Sequence, residues 1–267
     1  MTIAVVWLED DGLWCVSDTR ISRRGQGGGV QIVTDAGAKI YPLNVECRLL
    51  TVERELYYGR RYGMVFAGMT AVATQTFATL SGMCQALQGA SRQDIPSLRD
   101  VATLLSKLVE LYVRDFRAST TLADPGVIEI LLFGMCPVSR SYEIWRVSDQ
   151  IVEGSLHVAI DQQPARTGDV VAIGSQVSRF QEILAELKQK TENTFRLPKI
   201  AVGQMADASR GDVGGAVSIG ICNQFGFQTY WSLGLTPHGQ GARLMFGVDL
   251  DDIGWVGPVV ISGGGMA

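Results

Sequence analysis

Apolar runs of strand length, broken by Asp-Gly and glycine-rich turns, open the chain, and stretches of helical period follow them. The first run, Thr2-Ile3-Ala4-Val5-Val6-Trp7-Leu8, stops at Glu9-Asp10-Asp11-Gly12; the second, Leu13-Trp14-Cys15-Val16, leads into Ser17-Asp18-Thr19-Arg20. Two strands of like length joined by an Asp-Gly-type turn pair antiparallel, which returns Asp18 to the neighbourhood of Thr2. Residues 38–43 read as a short strand that includes Lys39, and residues 62–68 as a strand ending at Gly68. Val72, Thr76, Leu80 and Cys84 recur at near-helical spacing over 69–88, as do Val101, Leu104, Leu105, Leu108, Leu111 and Tyr112 over 97–117. Strands at 127–134 and 142–147 form a predicted hairpin, a strand at 170–174 leads to a helix at 180–190, and a helix at 200–208 precedes strands at 215–222 and 226–231.

Thr2 carries the chemistry. Removal of Met1 would leave a hydroxyl and a free α-amine on one residue, a nucleophile and its base in a single unit. The amine titrates near pH ~7.7–8.0, so a useful fraction is neutral at pH 7. An ammonium at Lys39 would lower the pKa of the hydroxyl and the amine, and Asp18 would hold that lysine charged. Gly68, at a strand-to-helix junction, lets the backbone approach a substrate and aim an N–H at a developing oxyanion. By default Asp18 is a turn former, Lys39 a solvated edge residue, and Ser175 an N-cap with Gln176 and a helix behind it.

The order Thr2, Ser17-Asp18-Thr19-Arg20, Lys39 and Val65-Phe66-Ala67-Gly68 followed by a helix resembles the proteasome β-subunit family of N-terminal-nucleophile (Ntn) hydrolases. Ile173-Gly174-Ser175 is similar to that family's Gly-Ser step. Three departures stand beside the match: a basic, glycine-rich insertion near 23–37, an insertion near 44–61, and Met69 where a second glycine is usual. The family's supporting Asp and Ser fall somewhere within 207–215 and are not assigned. The resemblance implies an α+β chain in a four-layer αββα sandwich, built as a single domain over 1–267. It also implies a catalytic set of Thr2, Asp18, Lys39, Gly68 and Ser175, with Arg20 supporting the site and Phe66 and Met69 shaping the substrate pocket.

Composition narrows the alternatives. With 267 residues, 46% of them hydrophobic, the chain is long enough for one large core. A net charge of −4 gives no drive toward nucleic acid or anionic membrane. No apolar run approaches the roughly 20 residues of a membrane span, and Glu9-Asp10-Asp11 interrupts any signal-peptide core. Five scattered cysteines without a Cys-x-x-Cys pair read as buried hydrophobes of a cytoplasmic protein. Two separated histidines, His157 and His238, read as structural, so neither a metal nor a cofactor is expected. Gly25 to Gly29 lacks the Gly-Lys-Ser/Thr ending of a phosphate loop and reads as a mobile loop, and the Gly263 to Ala267 tail as flexible.

The expectation is a threonine-type peptidase subunit acting on peptides or unfolded protein within a homo-oligomeric double ring, with an ATPase as a possible partner. The helices at 69–88 and 97–117 are the candidates for ring contact, on the ground that one sheet leaves part of their apolar faces uncovered. An Ntn amidohydrolase acting on a small amide and a non-catalytic ring subunit share the same residues and stay open.

Overall fold

A computed structural model of the chain describes residues 2–24, 29–119, 127–153, 155–191, 196–208, 211–235, 241–261 and 264–266. The opening hairpin forms as its pattern dictates. β1 (Ile3–Glu9) and β2 (Gly12–Asp18) pair antiparallel from Ala4↔Ser17 to Glu9↔Gly12. β3 (Ile21–Arg24) and β4 (Val30–Thr34) make a small separate hairpin out of the glycine-rich insertion. Residues 25–28 of the expected mobile loop lie outside the described residues.

β5 (Ile40–Leu49) and β6 (Leu56–Gly68) pair from Ile40↔Val65 out to Arg48↔Leu56. The expected insertion at 44–61 is therefore the far half of one long hairpin, with Leu49, Leu50 and Tyr57 near its tip. Helix α1 (Thr70–Cys84) ends four residues earlier than its periodicity suggests. Leu87–Gly89 instead forms β7, which pairs parallel with β5, so a tertiary ladder takes over residues the helical period would have kept. Helix α2 (Leu98–Ser119) follows, then β8 (Ile128–Met135) and β9 (Tyr142–Val152).

The alternation in 142–147 continues into an unforeseen strand, β10 (Ser155–Gln163), and β11 (Val170–Gly174) then leads into α3 (Val177–Lys190). Helix α4 (Leu197–Ala208) starts earlier than expected, with Pro198 in its first turn, where a missing N–H costs nothing. β12 (Val217–Asn223) and β13 (Gly226–Leu235) form the last large hairpin. Short elements close the chain: β14 (Gly241–Met245), β15 (Val248–Asp249), α5 (Leu250–Ile253), β16 (Trp255–Val256), β17 (Val259–Val260) and β18 (Gly265–Met266). β18 pairs parallel with β13, so the tail, expected to be flexible, supplies a short strand.

Two large sheets result. One runs β11-β1-β2-β12-β13-β14-β15 with β18 beside β13; the other runs β10-β9-β8-β6-β5-β7. Strand alternation decides which face meets what. Ala4, Val6, Leu13 and Cys15 of the first sheet pack against Val65, Leu131, Phe133 and Ile144 of the second. The opposite face of the first sheet, through Ile3, Val5, Trp14 and Val16, packs on Phe180, Ile183, Ala201 and Met205 of α3 and α4. The outer face of the second, through Met64, Phe66, Ile130 and Val147, packs on Val72, Leu80, Leu105 and Val109 of α1 and α2. The sheet buries most of the apolar positions of α1 and α2, while Met83 and Leu111 stay 45% exposed on them. No described helix is long and apolar enough to cross a membrane.

Candidate active site

The site forms where β1 begins and β2 ends. Antiparallel pairing sets Asp18 beside the amide that follows Thr2, and Ile3 N–H donates to Asp18 Oδ1 at 3.1 Å. Lys39 Nζ donates to the same oxygen at 2.8 Å. Gly214 N–H donates to Oδ2 at 3.1 Å, so both carboxylate oxygens are satisfied. Asp18 is 0% and Lys39 1% exposed, which makes this an ion pair fully removed from water. Burial pushes Lys39 below the usual lysine range and Asp18 above the usual carboxylate range, while their mutual attraction opposes both shifts.

Lys39 does not belong to a strand, as the sequence suggested; it lies in the extended segment just before β5. Its carbonyl accepts from Phe66 N–H at 3.3 Å, and Gly37 N–H donates to Thr19 O at 2.9 Å, which together hang the segment between β2 and β6. The lysine is therefore positioned by backbone contacts on both sides of it.

Thr2 is 3% exposed, and its carbonyl accepts from Ser175 N–H at 3.1 Å. That approach requires Gly174. Its φ is +114°, and a Cβ built there would sit 1.9 Å from Thr2 O. Gly174 N–H also donates to Glu129 Oε2 at 2.9 Å, linking β11 to the other sheet. Ser175 is not a helix cap: Gln176 holds the N-cap position of α3, and Ser175 Oγ donates to Asp212 Oδ2 at 3.0 Å.

Of the two aspartates within 207–215, Asp212 is the one that meets Ser175. It is buried, and its charge favours the protonated form of Lys39. Residues 209 and 210, including the candidate Ser209, lie outside the described residues. Arg20 holds the Asp212 loop in place: NH1 donates to Gly211 O at 3.0 Å, while Nε and NH2 grip Asp35 at 2.7 and 3.2 Å. Thr19 Oγ1 donates to Asp35 O at 2.5 Å and accepts from Ala216 N–H at 2.8 Å. The sequence pointed to Thr19 only as a neighbour of Asp18 and to Asp212 only within an unassigned stretch, and gave no sign of Asp35. The usable signal was the uninterrupted polar run Ser17-Asp18-Thr19-Arg20, whose four members are all buried.

Gly68 ends β6 with φ +102°, and a Cβ there would meet Val127 O at 1.8 Å, so only glycine fits this junction. Ala67, one residue before it, lies within ordinary contact of the Cβ position of Gly174, which brings this junction to the Thr2 end of β1. Phe66 and Met69 face the other way. Both are buried in the cluster beneath α1 and α2, and Phe66 stacks on Tyr41 with ring centroids 5.9 Å apart. The structure thus brings together Thr2, Asp18, Lys39, Ser175 and Arg20, sets Gly68 close by, and puts Phe66 and Met69 in the core.

Among the described residues, no group of three or more His, Cys, Asp or Glu side chains is arranged to hold a metal ion. His157 lies exposed on β10, and His238 lies outside the described residues. All five cysteines are free and buried.

Solved structures of similar fold give this arrangement a context. The chain resembles the Anbu described as an ancestral β-subunit from Yersinia bercovieri, with a TM-score of 0.58 and 16% identity over 85% of this chain and 86% of that one. It also resembles the Anbu complex from Pseudomonas aeruginosa, solved as a helical assembly, with a TM-score of 0.56 and 15% identity over 86% of each chain. The Anbu (Gly-1) mutant from Hyphomicrobium sp. strain MC1 aligns with a TM-score of 0.54 and 14% identity, over 92% of this chain and 87% of that one. The fold is Anbu-like. At these identities the likeness is one of fold, shared across most of both chains. No family model and no curated protein matches the sequence.

Proposed function

We propose that this chain is a threonine-type Ntn hydrolase, a peptidase subunit of a self-compartmentalising homo-oligomer, with the four-layer αββα arrangement of that class. The observation that carries the reading is the fully buried Asp18–Lys39 pair, anchored to the amide that follows Thr2. A buried ion pair is seldom the most stable filling for a core, since desolvating two charges offsets most of their attraction. Its position beside a residue that can present a hydroxyl and an α-amine gives it a use.

In this mechanism the neutral α-amine of Thr2, freed by loss of Met1, takes the hydroxyl proton directly or through a water. Oγ1 attacks the substrate carbonyl, and the Gly68 N–H stabilises the oxyanion. The tetrahedral intermediate expels the amine, which leaves with the proton, and water hydrolyses the acyl-enzyme. Lys39 supplies positive charge that lowers the pKa of the nucleophile, and Asp18 orients and balances it. Ser175 and Asp212 steady the Thr2 backbone through the Ser175 N–H bond to Thr2 O. Arg20 braces the Asp212 loop, and Phe66 and Met69 back the Gly68 turn from the core side. The cytoplasmic setting, and delivery of substrate by an ATPase, belong to the same reading.

Intact-mass measurement together with a peptide epoxyketone tests it. The expected result is a mass lacking one methionine and a single adduct on Thr2, lost in Thr2→Ala. Retained Met1 with no adduct supports the non-catalytic subunit. Turnover of a small amide by a monomer that ignores peptides supports the amidohydrolase. The molecular mass of the assembly separates a closed double ring from an open, helical one.

A further inference from the structure

β10 is the outermost strand of the six-stranded sheet and is nine residues long. The other edges of the two large sheets are shorter: five residues in β11, three in β7 and two in β15. An edge strand offers a row of unpaired N–H and C=O groups to any other chain, and proteins usually guard it with proline, lysine, a bulge or short length. β10 has none of these guards. Ser155-Leu156-His157-Val158-Ala159-Ile160-Asp161-Gln162-Gln163 contains no proline or lysine. Its ladder to β9 runs without a register shift from Ser155↔Val152 to Gln163↔Ile144, and no described strand pairs with its outer side.

The side chains divide cleanly between the two faces. Leu156, Val158 and Ile160 pack into the core beneath α1 and α2. His157 and Asp161 stand exposed on the opposite face, with Ala159 between them. Laid antiparallel against itself about Ala159, the strand is self-complementary. His157 meets Asp161 twice, Val158 meets Ile160 twice, Ser155 meets Gln163, and Leu156 meets the amide of Gln162. A slip of the dyad by one residue would set His157 against Ala159 and part both polar pairs.

We propose that β10 is an isologous docking edge for a second copy of this chain, joining two six-stranded sheets into one continuous sheet about a two-fold axis at Ala159. The axis stands perpendicular to the sheet, so the helix layers of both copies fall on the same side. This interface is independent of the chemistry at Thr2.

Ala159→Cys tests it in the full chain. Opposed residues on antiparallel strands have Cα atoms about 4.5–5.5 Å apart, inside the range a disulfide spans. The five native cysteines are all buried, so they do not compete for oxidation. Mild oxidation should convert most of the Ala159→Cys protein to a covalent dimer on a non-reducing gel. Ser155→Cys should give little, because its own copy lies eight residues away along the ladder, about 27 Å. His157→Asp in the Ala159→Cys background should cut the dimer yield several-fold by opposing carboxylates, and His157→Asp with Asp161→His should restore it. Absence of a dimer from Ala159→Cys in folded protein, equal yield from Ser155→Cys, or failure of the swap to restore the yield would overturn the proposal. The same gels run on Thr2→Ala give the answer whether or not Thr2 reacts.

Discussion

Asp18 and Asp149 are alike in almost every local respect and differ in what they serve. Each is a fully buried aspartate whose Oδ1 accepts the amide of a strand's first residue, Ile3 for Asp18 and Ile128 for Asp149. Burial raises the pKa of both carboxyls. The cations differ. Asp18 pairs with Lys39, itself fully buried, beside Thr2; Asp149 pairs at 2.6 Å with the partly exposed Arg117 at the end of α2. Arginine cannot give up its proton in a protein, so Arg117 acts as a clamp that fixes the end of α2 to β9 beside the start of β8. Lysine can, and burial holds Lys39 below the usual lysine range. A buried carboxylate at a strand start is therefore an ordinary structural device, and the identity and burial of its cation mark the candidate active site.

The largest expected effects separate the two pairs. Lys39→Met and Arg117→Met each strand a buried carboxylate and should destabilise the fold by about 3–5 kcal/mol, Arg117→Met at the lower end because water reaches that pair. Under conditions where both variants remain folded, only Lys39→Met should lose epoxyketone labelling at Thr2. Labelling that survives Lys39→Met, or vanishes in folded Arg117→Met, would erase the distinction.

Keeping the charge sharpens the test. Lys39→Arg leaves a cation beside Asp18 but replaces a compact ammonium by a larger, permanently protonated fork, and peptide turnover should fall on the order of a hundredfold or more. Arg117→Lys should leave turnover unchanged and cost less than about 2 kcal/mol in urea unfolding.

The pH dependence of stability distinguishes the groups by sign. Asp149 has its pKa raised by burial, so the native state holds that proton more tightly than the unfolded chain, where it titrates near about 3.9. The stability of wild type relative to Asp149→Asn should therefore be greatest below that pH and decline as pH rises through the folded value. Lys39, lowered by burial, acts oppositely: relative to Lys39→Met, stability should rise with pH between its folded value and about 10.4. Denaturant titrations of the two pairs across pH check both slopes, and slopes of the same sign would contradict the assignment of burial as the main cause.

The smallest effect is expected at the support. Ser175→Ala removes one hydrogen bond to Asp212 and should cost about 1 kcal/mol. It keeps the Ser175 N–H bond to Thr2, so turnover should drop only a few-fold. A complete loss of turnover would move Ser175 from support into the reaction itself.

Local pattern determined a good part of this protein. The turn at Glu9–Gly12 and the lengths of the flanking strands were enough to set Asp18 beside the start of β1, and helical period found α1 through α4 to within a few residues. Glycine at position 68 was legible because a strand gives way to a helix there. These signals span ten to twenty residues, the range over which periodicity and turn chemistry act. What lay beyond that range required the folded chain. Gly214 reaches Asp18 across 196 positions of sequence, and Asp212 joins the site through the same loop, which is pinned by Arg20. The helical period at 85–88 yielded to a parallel ladder with β5, and the glycine tail joined β13, because an available strand edge satisfies backbone groups that composition alone would leave to water. Phe66 and Met69 sit next to Gly68 in sequence, yet strand alternation and packing under α1 turned them into the core. The sequence by itself singled out Thr2, Asp18 and Lys39 as candidates and the local turn that joins two of them. Tertiary structure alone decided which distant acid completes the cluster and which way each neighbouring side chain faces, since those depend on contacts between segments that no local pattern encodes.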